Sequence, residues 1–107
     1  FWGIRGGGGN FGIVTNFEFQ LHPMQRTVVA GTVAYPIDKV QDVVSVYRDV
    51  GVSAPDELYC DLMLMSPMAG TSGMAGFELC WSGAEKDAEA ILEPFLSLGE
   101  PVMTTVK

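Results

Sequence analysis

The residues best suited to chemistry in this chain come first: Phe1-Trp2-Gly3-Ile4-Arg5-Gly6-Gly7-Gly8-Gly9-Asn10-Phe11-Gly12-Ile13-Val14-Thr15. Glycine lacks Cβ, admits positive φ and lets another molecule approach the main chain. A run of four consecutive glycines carries an entropic cost that a plain connection rarely meets. Backbone amides freed in this way suit carbonyl and phosphate groups. Gly7, Gly9 and Gly12 satisfy the spacing of a dinucleotide fingerprint, but that fingerprint needs a helix to follow. Here Ile13-Val14-Thr15-Asn16-Phe17 follows, and β-branched and aromatic residues at that density argue strand. No Gly-Lys-Ser/Thr closes the run, so it is not a P-loop. A flexible hairpin turn is the bland alternative.

The other candidates are weaker. Cys60 and Cys80 fall on neighbouring expected strands. With only two cysteines and no histidine beside them, a metal site is not expected, and free thiols acting as small apolar groups are. His22 precedes Pro23 and reads as a strand-end surface residue. Glu18, Glu57, Asp61 and Glu78 have no evident partner and read as solvated strand residues. Met63, Met65, Met68 and Met74 cluster around one loop and read as core filling or an exposed interface. No residue is assigned a catalytic role, and none a metal.

The ordered stretch Phe1-Trp2-x-Ile4-Arg5-Gly6-Gly7-Gly8-Gly9-Asn10-Phe11-Gly12-Ile13-Val14-Thr15, then Phe17-x-Phe19 and Leu21-His22-Pro23, resembles the end of the flavin-binding domain in berberine-bridge-enzyme-like FAD-dependent oxidases of the vanillyl-alcohol-oxidase superfamily. Leu92-x-Pro94-Phe95-x-x-Leu98-Gly99-x-Pro101-Val102 resembles bacterial members as well. The resemblance implies that Gly8, Gly9, Asn10, Phe11, Gly12, Ile13 and Val14 lie against FAD, largely through main-chain groups. It also implies a small-molecule substrate. The family's phosphate-cradling loop and covalent flavin ligands lie upstream of this stretch, and its catalytic aromatic residues mostly downstream. The chain is therefore expected to be a piece of an oxidoreductase that lacks most of the active site and is inactive alone, with FAD a cofactor of the parent protein and not expected on this chain by itself. The opening on Phe1-Trp2 fits that expectation.

These residues must be held by elements. Ile13, Thr15, Phe17, Phe19 and Leu21 alternate with polar partners and predict a strand ended by Pro23. Residues 1–26 are then the tail of a flavin-binding domain, and residues 27–107 a substrate-side domain. In the second part Thr27–Tyr35 predicts a buried strand, with Gly31 marking a bulge or a close neighbour. Asp38 and Gln41 form a capping box for a helix whose apolar face is Val40, Val43, Val44, Tyr47 and Val50, closed by Gly51. Glu57–Met65 and Met74–Trp81 predict an antiparallel hairpin around the small-residue turn 66–73. Ser82 and Glu85 form a second capping box, for a helix that buries Ala88, Ile91, Leu92 and Phe95 and stops near Pro94. Val102–Val106 is a last strand. The order β-α-β-β-α-β predicts an α+β, ferredoxin-like antiparallel sheet with two helices on one face, preceded by the Gly-rich turn and an extra N-terminal strand.

Composition sets outer bounds. At 107 residues there is room for one core, and 48% hydrophobic with 18% charged residues describes a folded domain. A net charge of −7 argues against nucleic acid, whose affinity rests on phosphate neutralisation. Apolar runs are too short for a membrane span, and two free thiols favour the cytoplasm. Left without partners, the strand from the glycines to His22 is an apolar edge, so a homodimer through it or through the sheet face is expected. A reading from another class is a stand-alone dimeric α+β module that binds a small ligand without flavin. A truncated product, folded but inactive, is a third.

Overall fold

The computed structural model describes residues 1–67, 70 and 72–107. Its elements are β1 (Val29–Pro36), α1 (Val40–Asp49), β2 (Leu58–Met65), β3 (Met74–Trp81), α2 (Glu85–Leu96) and β4 (Met103–Thr104). The four-stranded sheet has the order β2-β3-β1-β4 and every pairing is antiparallel. This is the α+β, ferredoxin-like arrangement that the chain order predicts. The turn expected over 66–73 includes Met68, which lies outside the described residues.

The register explains the core. Cross-strand partners share a sheet face, and successive residues alternate. Val33 opposite Phe77, Tyr35 opposite Ala75, and Trp81 opposite both Val29 and Leu58 put one apolar set on one side. Val43 of α1 and Ala88, Leu92 and Phe95 of α2 close over that set. Phe77 and Phe95 meet edge to face, with ring centroids 5.1 Å apart. Burying each of these large side chains is worth about 1.5–3 kcal/mol. The Tyr35 hydroxyl donates to the Phe95 carbonyl at 2.9 Å, satisfying an acceptor that the last turn of α2 leaves open.

Gly31 is the close-neighbour glycine. A Cβ there would lie 2.6 Å from the Thr105 carbonyl carbon and the Val106 nitrogen. Pairing between β1 and the C-terminal residues runs beyond β4 itself, since Ala30 and Lys107 exchange both main-chain hydrogen bonds. At Thr32 the amide donates instead to the Thr105 hydroxyl, at 3.0 Å.

Several local expectations are corrected. The extra N-terminal strand does not form: residues 12–25 carry no ladder and are exposed throughout. A strand is held by its neighbour's hydrogen bonds and packing, and no strand of this sheet offers either to that segment. Neither capping box forms. A short 3-10 turn, Ile37–Lys39, precedes α1, and no side chain caps either helix. The Ser82 amide and hydroxyl both donate to the Glu57 carbonyl, at 2.9 and 3.0 Å, which ties α2 to the start of β2. On α1 it is Val46, not Val44, that packs against the core, while Val44 is 40% exposed. Gly51 does not take a left-handed φ. It opens a 3-10 turn instead.

Candidate functional site

Among the described residues the buried set is apolar apart from the bonded Tyr35 hydroxyl, so the candidate sites are sought on the surface. Two surfaces are candidates: the glycine-rich segment and the sheet face opposite the helices.

Within the segment, Gly8–Phe11 forms one 3-10 turn, and the Asn10 side-chain amide donates to the Gly7 carbonyl at 2.8 Å. Gly8–Val14 is exposed along its whole length. Gly8 and Gly12 have φ of 60° and 124°, conformations that side chains resist. Gly7 is glycine for an internal reason: a Cβ there would collide with the Gly3 carbonyl and the Phe11 ring. Gly9 has no such reason. Its φ is not positive, and nothing lies within 4 Å of a Cβ built on it. Ile13, 94% exposed, and Phe11, 62% exposed, are uncovered. Arg5 lies over the Phe1 and Trp2 rings at 5.5 and 5.0 Å, so the local cation is already engaged.

On the sheet, alternation opposite the core set brings together side chains that are distant in sequence. Asp61 faces Glu78, which faces Thr32; Tyr59 faces Cys80, which faces Ala30. Met63, Gly76, Ala34 and Met103 form one further row, and Met65, Met74 and Pro36 the last. The face is thus acidic and hydroxylic at one end and methionine-lined at the other. The Tyr59 hydroxyl donates to Asp61 Oδ2 at 2.6 Å. That bond, with desolvation behind it, pushes the Tyr59 pKa up to about 12. The alternation of Tyr59 and Asp61 is visible in the sequence, but their cross-strand partners are not, because register is a tertiary fact.

Cys60 pairs with Leu79, and Cys80 with Tyr59, so the two thiols occupy opposite sheet faces and both remain free. Burial, with Asp61 adding to it, pushes the Cys60 thiol up to about 11. His22, Asp56, Glu57 and Ser82 border a hollow where the N-terminal segment meets the end of the sheet. Glu18 stands apart on that exposed segment. Among the described residues no group of three or more His, Cys, Asp and Glu is placed to hold a metal ion, and no helix is long and apolar enough to cross a membrane.

No family model matches the chain. It is 31% identical over 107 residues to an FAD-linked oxidoreductase of Dictyostelium discoideum, covering 98% of the chain and 22% of that protein. It is 30% identical over 107 residues to the FAD-linked oxidoreductase alt4 of Alternaria solani, with the same coverage. Over 106 residues it is 32% identical to berberine bridge enzyme-like D-1 of Nicotiana tabacum, covering 92% of the chain and 19% of that protein. The chain thus spans about a fifth of the length of the curated relatives it matches. The family they represent is FAD-linked. With such relatives aligned over nearly all of it, the chain belongs to the FAD-linked oxidoreductases that include the berberine-bridge-enzyme-like proteins.

Proposed function

We propose that this chain is the junction of an FAD-dependent oxidoreductase, with residues 1–26 ending its flavin-binding part and residues 27–107 forming a substrate-side domain. Gly8–Val14 contributes main-chain contacts to FAD. Bound flavin would accept a hydride from a small-molecule substrate. This chain's own part is to bind and to orient.

The observation that carries the reading is Gly9. The fold requires glycine at Gly7 for packing and favours it at Gly8 and Gly12 for φ, yet Gly9 satisfies nothing inside the chain. A partner that comes up to the main chain from outside supplies the missing reason. The exposed amides of the 3-10 turn suit an uncharged or anionic edge of the cofactor. The sheet face without helices supports the other half of the proposal: it presents the hydroxyl and carboxyl groups of Tyr59, Asp61 and Glu78 beside an adaptable methionine surface.

A flavin titration followed by fluorescence quenching tests this. Saturable quenching by the chain, weakened about tenfold or more by Gly9→Val with the circular dichroism melt unchanged, is the expected result; tenfold corresponds to about 1.4 kcal/mol. Binding that Gly9→Val leaves intact would remove the cofactor role from this segment, and no saturable binding at all would show that the segment does not hold flavin without the rest of the flavin-binding part.

A further inference from the structure

Among the described residues β2 is an edge strand, with β3 as its one neighbour. In an antiparallel pair, alternate residues turn their main-chain groups toward the partner and away from it. The Ser82 amide donates to the Glu57 carbonyl, so the odd-numbered residues of β2 bond to β3 and the even-numbered ones point outward. The Leu58 amide is already spent on the Pro55 carbonyl, at 2.9 Å. The open ladder is therefore that of Cys60, Leu62 and Leu64. Nothing in Leu58–Met65 guards it: the strand holds no proline, glycine or lysine, and its one charge is Asp61. Leu64, on the helix side of the sheet, is 59% exposed. The same chain carries a segment with the opposite deficit. Residues 13–21 alternate like a strand yet have no ladder, and Phe17, Phe19 and Leu21 are exposed.

We propose that this edge receives residues 15–21 of a second copy of the chain, as a further antiparallel strand. The two strands alternate in step. Phe17 opposite Leu64, Phe19 opposite Leu62 and Leu21 opposite Cys60 extend the apolar layer past the edge of the sheet, where Leu62 and Cys60 already pack on the core. This register sets Gln20 opposite Asp61. Sliding the segment by two residues sets Glu18 there instead, and like charges directly opposite one another are destabilising. The ladder also closes at the same point on both strands: Pro23, which has no amide, falls opposite Leu58, whose amide is spent. Within one copy the segment does not take this edge, although His22, Pro23 and Met24 lie beside Asp56 and Glu57 at the head of β2. Proline fixes its own φ and holds the preceding residue extended, which favours a chain that continues past the edge over one that turns along it. A second copy brings its segment to the edge without that turn. Gly8–Val14 remains outside the paired residues.

Sedimentation of the 107-residue protein across a dilution series, beside two variants, tests this. The first, Leu64→Pro, closes the edge. Position 64 turns its amide away from β3, so the proline removes no hydrogen bond of the domain. The second, Phe17→Asp with Phe19→Asp, spoils the segment. Unchanged circular dichroism melts show that both variants fold, and Leu64→Lys replaces the proline if that variant does not. The unaltered chain is expected to associate with concentration, and each variant alone to associate about tenfold more weakly or worse. Mixed, the two variants are expected to form a one-to-one pair, because one keeps an intact segment and the other an intact edge. A mixture that stays monomeric would overturn the proposal, as would an unaltered chain that is monomeric throughout. Association that persists in the Phe17→Asp, Phe19→Asp variant alone would mean that two β2 edges pair with each other. Association that persists in Leu64→Pro alone would mean that two segments do. Either would overturn it as well.

Discussion

Gly7 and Gly9 stand two positions apart in one glycine run and answer to different constraints. The first makes room for the Phe11 ring; the second makes room for nothing the chain contains. Composition alone presents them as equivalent. Only the positions of neighbouring atoms separate an internal need from an external one. Tyr59 shows the same dependence on surroundings. Its hydrogen bond to Asp61 holds the phenolic proton, so its folded pKa of about 12 exceeds the ordinary 10.0. The bond's contribution to stability is therefore fully present below pH 10 or so, and is lost as pH climbs through the folded value. Asp61→Asn, which removes the charge but keeps the shape, should bring the Tyr59 titration back down toward the ordinary range. Ring resonances of Tyr59 followed across alkaline pH would show this. An unchanged midpoint would mean that burial, not Asp61, sets the shift.

At the scale of elements, the strands and helices of residues 27–107 were legible because period-2 and period-3.6 patterns report burial directly. Met74–Trp81 coincides with its predicted span, and Ala88, Leu92 and Phe95 are the buried face of α2 as the spacing required. Helix starts were not legible. Ser82 and Asp38 are residues that cap helices, but a capping oxygen must be turned to accept from the first helix amides, and the Ser82 hydroxyl is held instead where it donates to the Glu57 carbonyl across the fold. Gly76 carries a constraint of the same kind. In the β1–β3 ladder it faces Ala34, and a Cβ there would collide with the Val33 carbonyl and the Ala34 backbone. These are main-chain atoms held by the central pairing, so relief requires the strands to separate. Gly76→Ala should therefore destabilise the domain by about 1–3 kcal/mol, the range for overpacking a core, whereas surface substitutions are usually within about 0.5 kcal/mol. Urea denaturation of the two proteins side by side measures the difference. A midpoint unchanged by the methyl group would show that the two strands can part without cost.

For the whole molecule, the radius of gyration is 17.7 Å, against about 13 Å for a compact chain of this length. The excess comes from an N-terminal segment whose apolar side chains, Phe17, Phe19 and Leu21 among them, are exposed. Phe17 and Phe19 stack on each other at 5.4 Å for want of another surface. Deleting residues 1–26 should leave a cooperative melt intact and reduce the radius of gyration measured by X-ray scattering to about 12 Å. It should also abolish the concentration-dependent association expected of the full chain in sedimentation. A full chain that is monomeric at every concentration would show that the exposed segment does not seek a partner.

The sequence by itself determined the family, the α+β order of elements and most of the core, Val46 in place of Val44 being the exception on α1, because each rests on local pattern or ordered residue matches. The glycine-rich stretch carried the flavin expectation for the same reason. Tertiary structure alone decided which glycines the fold consumes, which face of the sheet the helices leave open, and which acidic side chains meet there. It also decided that an alternating segment with all the marks of a strand would have no ladder. Pattern fixes what a residue prefers, whereas register and contact fix what it meets, and a strand exists only where another strand meets it.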